Sequence, residues 1–339
     1  MLIDKMFDTY DPTTFVAEAK ALEEAGYDGL LLGEAAMDPL VPLAIATQHT
    51  TTVDLVSAVA IALPRSPTHV AYAANDLQAF SGGRLVLGLG SQIRAHVERR
   101  FGATWTKPVA QMREFILAIR ALYAAWEAGT GVDFRGDHYE ITLMTPYFSP
   151  AVAPSGPPPI WLAGVGERMC TTAGEVADGL FVHPFTTPRY LQENLLGWAE
   201  AGRARAGDRR PSFGVALPVL VGTGADDDVE AAIAAVRKQI AFYGSTPAYR
   251  PVLELHGWGD LQPELNQLSK AGRWDEMTGL IDDEVLHTFA ITGTPKEVGA
   301  GVVERYGQLV TRASIYTPNH HVPAELMAEL LDAARAAAA

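Results

Sequence analysis

Short runs of Val, Leu and Ile alternate along the chain with longer segments of helical period. The first apolar run covers residues 2–8. Asp11-Pro12 then reads as an N-cap followed by proline at the first helical position. Phe15, Ala19 and Leu22 recur at the spacing of one buried helix face, and Gly26 is placed to end that helix as a left-handed cap. Further strands are predicted at 29–34, 53–63, 84–90, 159–163, 179–183, 212–222 and 313–317. The helices between and after them are predicted at 42–48, 67–80, 108–126, 167–176, 187–206, 226–243, 295–306 and 323–338. The strands are nearly unbroken apolar runs, as expected where both faces of a parallel sheet are covered.

Two stretches break the rhythm. One is 128–158, with a hairpin signal around Arg135-Gly136-Asp137; the other is 246–290, filled by short helical segments. The alternation resumes after each, so both read as insertions within one domain spanning residues 1–339. Eight strand–helix units predict a (β/α)8 TIM barrel with insertions at its C-terminal face. An open doubly wound sheet is the structural alternative, and alternation across the whole chain argues against it.

Composition narrows the function. Lys and Arg number 26 against 40 Asp and Glu, a net charge of −14, which disfavours nucleic acid or an anionic membrane as partner. No apolar run is long enough for a membrane helix, and the N-terminus has no signal-peptide core, so a cytoplasmic location is expected. The single cysteine, Cys170, leaves no internal disulfide and no multi-cysteine metal site. No H-x-x-x-H or H-E-x-x-H spacing exists, and no G-x-S-x-G nucleophile motif, so neither a metal site nor a hydrolase is expected.

In a barrel the chemistry sits at the C-terminal strand ends. Those ends carry Glu34, Gly90-Ser91-Gln92 with Arg94 and His96 beyond, Gly164-Val165-Gly166, His183 and Tyr316. The Gly164–Gly166 turn precedes a helix, whose free amides suit a phosphate; a tight turn alone would need the same glycines. Glu34 reads as a site carboxylate or as a structural carboxylate paired with a cation. His183 reads as a substrate or proton-transfer group, or as a histidine satisfied within its loop. His96 reads as a cofactor contact or as a cap of its own helix. A barrel without metal, nucleophile or acid pair points to a bound cofactor as carrier of the chemistry.

The chain resembles the luciferase-like flavin and deazaflavin oxidoreductases. The matching stretches are A-x-x-L-E-E-A-G-Y-D-G-L at 19–30, the apolar strand before Arg65-Ser66-Pro67, and S-G-G-R-L-V-L-G-L-G at 81–90. Gly156-Pro157-Pro158-Pro159-Ile160 and A-G-E-V-A-D-G at 173–179 complete the set, in family order across most of the chain. The run from Gly90 to Gly102 looks like an actinobacterial branch that uses coenzyme F420.

That resemblance implies a tricyclic cofactor at the strand ends and a homodimer. It implies a non-proline cis peptide at Ala58–Val59 that presses Ala58, Val59 and Ala60 toward the cofactor ring. Ribityl and phosphate contacts map onto Gly90, Ser91 and His96, and onto Gly164, Val165 and Gly166. It makes F420 the expected cofactor, with FMN the alternative, and a small organic molecule the expected substrate. An FMN-dependent monooxygenase and an inactive flavin-binding protein are the rival functions. Sugar-phosphate dehydrogenases of the family carry a histidine after the strand-two carboxylate, where this chain has Ala35. They carry a glutamate and an asparagine where this chain has Ile93 and His96, so that substrate is not carried over. Glu34 and His183 are then the expected proton relay, and Tyr147, Phe148 and Trp105 the expected substrate wall.

Overall fold

The computed structural model describes residues 1–7, 10–207, 212–225 and 228–338. The predicted end of the first strand at Asp8 and the predicted helix start at Asp226 lie outside the described residues. The strands are β1 (Leu2–Phe7), β2 (Gly29–Leu32), β3 (Asp54–Ser57), β4 (Ala60–Ile61), β5 (Leu85–Gly90) and β6 (Phe134–Arg135). They continue with β7 (Glu140–Ile141), β8 (Ile160–Gly164), β9 (Gly179–Val182), β10 (Gly214–Gly222), β11 (Ala290–Thr292) and β12 (Arg312–Tyr316). Parallel pairing runs β10-β12-β1-β2-β3-β5-β8-β9, and β9 pairs back to β10, which closes the predicted eight-stranded barrel. Among the described residues no helix is long and apolar enough to cross a membrane.

Local chemistry explains the helix ends. The helix Pro67–Ser81 starts with proline in its first turn, and Gly82 ends it at φ 68°. The helix Pro295–Tyr306 is held by a capping box in which Thr294 and Glu297 bond each other's amides. The first helix departs from expectation. It begins at Phe15, because the Asp11 carboxylate accepts from the Thr13 amide (2.8 Å) and hydroxyl (2.7 Å) and so builds the turn before it.

Three further departures matter for the site. The third strand is not continuous. β3 pairs with β5 as Val56↔Val86 and β4 pairs with it as Ala60↔Leu89, so one extra residue lies on the β3–β4 side. That bulge contains the cis peptide Ala58–Val59, which the resemblance implied. Ser57 Oγ bridges the gap, donating to the Gly88 carbonyl and accepting from the Gly88 amide, both at 2.9 Å. Next, the short strand β11, unexpected at the end of the second insertion, extends the sheet beside the upper half of β10. Finally, much of the 128–158 insertion does not cover the strand ends. After the β6–β7 hairpin it descends the outer side of the helix Pro67–Ser81, where Tyr72 bonds the Phe148 carbonyl and Asn75 bonds Ala151 and Ala153.

Side chains alternate inward and outward along each strand. Outward residues pack with the helices in one large core, and Leu31, Val56, Val86, Trp161, Phe181 and Ala216 form a smaller cluster inside the barrel. The indole of Trp161 needs glycine opposite it, since a Cβ on Gly214 would lie 2.0 Å from its ring. Nearby, Arg312 forks onto Asp4 with two 2.8 Å bonds and reaches Asp54 at 2.6 Å. Its side chain is 5% exposed and that of Asp4 0%. Burial opposes the charge on Arg312, but its bonds to Asp4 and Asp54 outweigh that and hold its pKa above the ordinary value.

Gly29 leaves the room this pair occupies: a Cβ there would lie 2.5 Å from both Arg312 Nη2 and Asp4 Oδ1. Gly29→Ala is expected to lower unfolding free energy by about 3 kcal/mol, the scale of a disrupted buried ion pair. Urea unfolding measures this, and an unchanged midpoint would show that the pair yields freely.

Candidate active site

A cavity of about 260 Å³ opens at the C-terminal mouth of the barrel. Its walls include Met6, Leu31, Phe181 and Leu217, the bulge residues Ala58 and Val59, and Ala163, Gly164 and Val165 from the end of β8. The polar side chains on its lining are Asp4, His183, Tyr243, Ser314 and Tyr316. Asp4 is already committed to Arg312. Ser314 Oγ is buried and has no hydrogen-bond partner among the described residues.

His183 stands just beyond β9. Tyr249 stacks on one face of its ring at 4.4 Å, and Tyr243 meets it edge-on at 4.7 Å. The Phe185 amide donates to His183 Nδ1 at 3.1 Å. The ring proton therefore sits on Nε2. Burial pushes the pKa down to about 3, so the imidazole is neutral across the physiological range.

The cavity gathers some of the expected residues and separates others. Ala58, Val59, Gly164, Val165 and His183 line it. Ala60 instead belongs to the core between strands and helices. Gly90 packs behind the bulge, where a Cβ would lie 2.7 Å from Val59 Cγ2. Gly166 is the N-cap of the helix Glu167–Val176, and a Cβ there would meet nothing within 4 Å. The Ser91 hydroxyl bonds the Gln92 carbonyl, and His96 is exposed on the short helix Arg94–Arg99.

The expected Glu34–His183 relay is not built. Glu34 Oε2 accepts from the Ile61 amide (2.7 Å) and from Arg65 Nη2 (2.8 Å), while Arg65 Nη1 donates to Asp38 at 2.9 Å. The carboxylate therefore locks β4 and the loop after β2, and it lines a different cavity from His183. The expected aromatic wall is also corrected. Tyr147 is 90% exposed and packs with Phe148 on the outer side of the helix Pro67–Ser81, and Trp105 does not line the cavity. The aromatic side of the cavity comes from Tyr243, in the helix before the other insertion, while Tyr249 of that insertion backs it by stacking on His183. Sequence reasoning missed these two and Ser314. The available signals were a tyrosine on each side of the Gly244-Ser245-Thr246-Pro247 break, and Arg312, Ser314 and Tyr316 at alternate positions of a buried strand.

The fold and site define a (β/α)8 protein with an apolar cavity at the barrel mouth walled by a bulged third strand. The chain belongs to the luciferase-like monooxygenase family, whose profile matches residues 5–313. It is 48% identical over 295 residues to an uncharacterized protein of Mycobacterium tuberculosis strain H37Rv, covering 87% of each chain. It is 31% identical over 288 residues to a putative coenzyme F420-dependent oxidoreductase of the same strain, covering 80% of this chain and 82% of that one. Its fold is similar to that of the coenzyme F420-dependent tetrahydromethanopterin reductase of Methanopyrus kandleri. That match has a TM-score of 0.78 and 21% identity, over 97% of this chain and 96% of the other.

The shifted histidine has a consequence for stability. An unfolded histidine takes its proton near pH 6.5 and buried His183 near pH 3. Between those values the unfolded chain binds the extra proton, so the contribution is complete above about pH 6.5 and is lost as pH falls. The loss is about 2 kcal/mol by pH 5. Unfolding free energy should therefore fall by about 2 kcal/mol more from pH 7 to pH 5 in the native chain than in His183→Gln. Equal pH dependence in the two would mean that His183 titrates as an exposed histidine.

Proposed function

We propose that this protein is an oxidoreductase that binds coenzyme F420 in the mouth cavity and moves hydride between it and a small organic substrate. One observation carries the reading. A single apolar cavity is bounded by the β3–β4 bulge, contains an unpartnered buried hydroxyl, and adjoins a helix start with an open glycine. These residues fit the cofactor. Ala58, Val59, Leu31 and Phe181 offer apolar surface to a flat ring. Ser314 Oγ lacks the partner that a ring heteroatom would provide. The first amides of the helix Glu167–Val176 have no intrahelical acceptor and suit a phosphate. The name of the mycobacterial relative at 31% identity supports F420 over FMN.

When bound, a deazaflavin supplies a ring carbon that gives or takes hydride in one two-electron step. The chain's own part is to hold the ring, exclude water from the apolar walls and offer neutral hydrogen-bond donors. His183 fits the last role, because an imidazole kept neutral by burial donates from Nε2 without taking up a proton.

Titration of the purified chain with F420 and with FMN is the direct test. Micromolar F420 binding with weaker FMN binding is expected. The reverse order, with oxygen consumption in the presence of reduced FMN, would favour the monooxygenase reading that the family description suggests. Gly166→Asp places a carboxylate at the helix start where Cβ has open space, so F420 affinity should fall at least tenfold while the unfolding midpoint holds. Unchanged affinity would reject the anchor. Gly164 is less suited to this test, because a Cβ there lies 3.0 Å from Cys170 Sγ.

Ser314→Ala should act with opposite signs. Removing a buried hydroxyl without a partner should raise the stability of the cofactor-free chain by about 1 kcal/mol, yet weaken F420 binding severalfold. Thermal unfolding with and without F420 reads both effects. Weaker unfolding resistance without cofactor would mean that the hydroxyl is satisfied in the fold itself.

A further inference from the structure

We propose that the substrate is a small uncharged carbonyl compound, or the alcohol it interconverts with, and that His183, Tyr243 and Tyr316 hold its oxygen; this rests on the oxidoreductase reading above. The polarity of the cavity is lopsided. Met6, Leu31, Ala58, Val59, Phe181 and Leu217 make apolar wall. The other side brings together the hydroxyls of Tyr243 and Tyr316, 3.4 Å apart, and the His183 ring, 4.7 Å from that of Tyr243. His183 Nδ1 is occupied by the Phe185 amide, so the ring of this cavity-lining histidine carries its N–H donor on Nε2, for which no acceptor is seen among the described residues.

The charges on the lining decide the substrate class. A carboxylate or phosphate substrate would find no free cation among the described residues of the lining. Arg312 is saturated by Asp4 and Asp54, and the carboxylate on the lining, Asp4, is spent on Arg312 and offers an anion no attraction. An amine would find Asp4 already paired. A hydrocarbon would leave the imidazole N–H without an acceptor, which is costly in an apolar cavity. An uncharged oxygen with two lone pairs accepts from the imidazole and from phenol, and its carbon skeleton covers the apolar wall. Hydrogen bonds to that oxygen draw electron density from the carbonyl carbon. The carbon then gains hydride with its electron pair, supplied by the reduced deazaflavin. The C=O π pair moves to oxygen, and the oxygen takes a proton from a tyrosine hydroxyl that solvent reprotonates.

Isobutyramide is the probe, since its oxygen presents the same lone pairs and is not reduced by hydride. The full chain is loaded with F420 and titrated with isobutyramide. Binding is followed by cofactor absorbance and by the His183 Nε2–H resonance in protein labelled with 15N-histidine, assigned with His183→Gln. Saturable millimolar binding that moves this resonance is expected. Tyr316→Phe and Tyr243→Phe should each weaken it about five- to tenfold, with the F420 Kd held within twofold. Equal amide affinity in the native chain and both variants would overturn the oxygen site while leaving the F420 reading intact. Should F420 not bind, the titration is made on the unloaded chain. There, hydroxyl-dependent amide binding supports the oxygen site without the cofactor, and its absence overturns the site.

Discussion

The Arg312–Asp4 pair joins the last strand of the barrel to the first across 308 positions of sequence. A parallel barrel closes only if those two strands meet in register, and here Leu2 faces Arg312 and Asp4 faces Ser314. The pair sits inside that seam, with Asp54 of the third strand as second acceptor. Such a pair differs in kind from the exposed Arg94–Glu98 contact, whose strength water and salt reduce to almost nothing. A buried pair adds little over well-packed apolar side chains, but losing one partner strands a charge and costs several kcal/mol. Its value lies in making other closures of the sheet unfavourable. Gly29 belongs to the same device, because the fork occupies the volume that any larger residue would claim.

That seam also decides where the cavity can be. Arg312 and Asp4 take up lumen space at one end, and the indole of Trp161 fills more of it beside Gly179 and Gly214. The cavity at the C-terminal mouth lies beyond these groups. The bulge then shapes the opening. One extra residue between β3 and β4 moves Ala58 and Val59 onto the cavity wall, and Ser57 supplies the two hydrogen bonds that the interrupted ladder to β5 would otherwise lose. Gly88 permits this, since its missing Cβ would lie 1.9 Å from the Ser57 carbonyl oxygen. The same bulge is braced from outside by Glu34, whose carboxylate ties the Ile61 amide to Arg65.

Much of this was legible in the sequence. All eight barrel strands follow from apolar runs, since a strand buried on both faces has few other compositions. Gly26 is a turn position that needs positive φ and was readable as such. The cis Ala58–Val59 bond came from resemblance, because apolar periodicity does not distinguish a bulge from a straight strand. The short strand β11 was hidden because three residues carry too little period to separate strand from helix. Residues 142–158 misled for another reason. Their aromatics suggested a binding wall, but Tyr147 and Phe148 lie against the outside of a helix, and only contacts distant in sequence fix that path. Glu34 was legible as a strand-end carboxylate, while its partner Arg65 lies 31 positions away and changes its meaning from reactive to structural.

The second insertion and the chemistry of the mouth are one device. His183 is placed by β9, but the strand alone would leave it an ordinary histidine that charges near neutral pH. Tyr249, from the 246–290 insertion, covers one face of the ring, and Tyr243, from the helix that leads into it, covers an edge. Their contact removes water and with it the solvation that an imidazolium needs, while the Phe185 amide selects the tautomer. The insertion thus turns a switchable base into a fixed donor. Of the two, Tyr243 also lines the cavity, so a change there alters shape and electrostatics together.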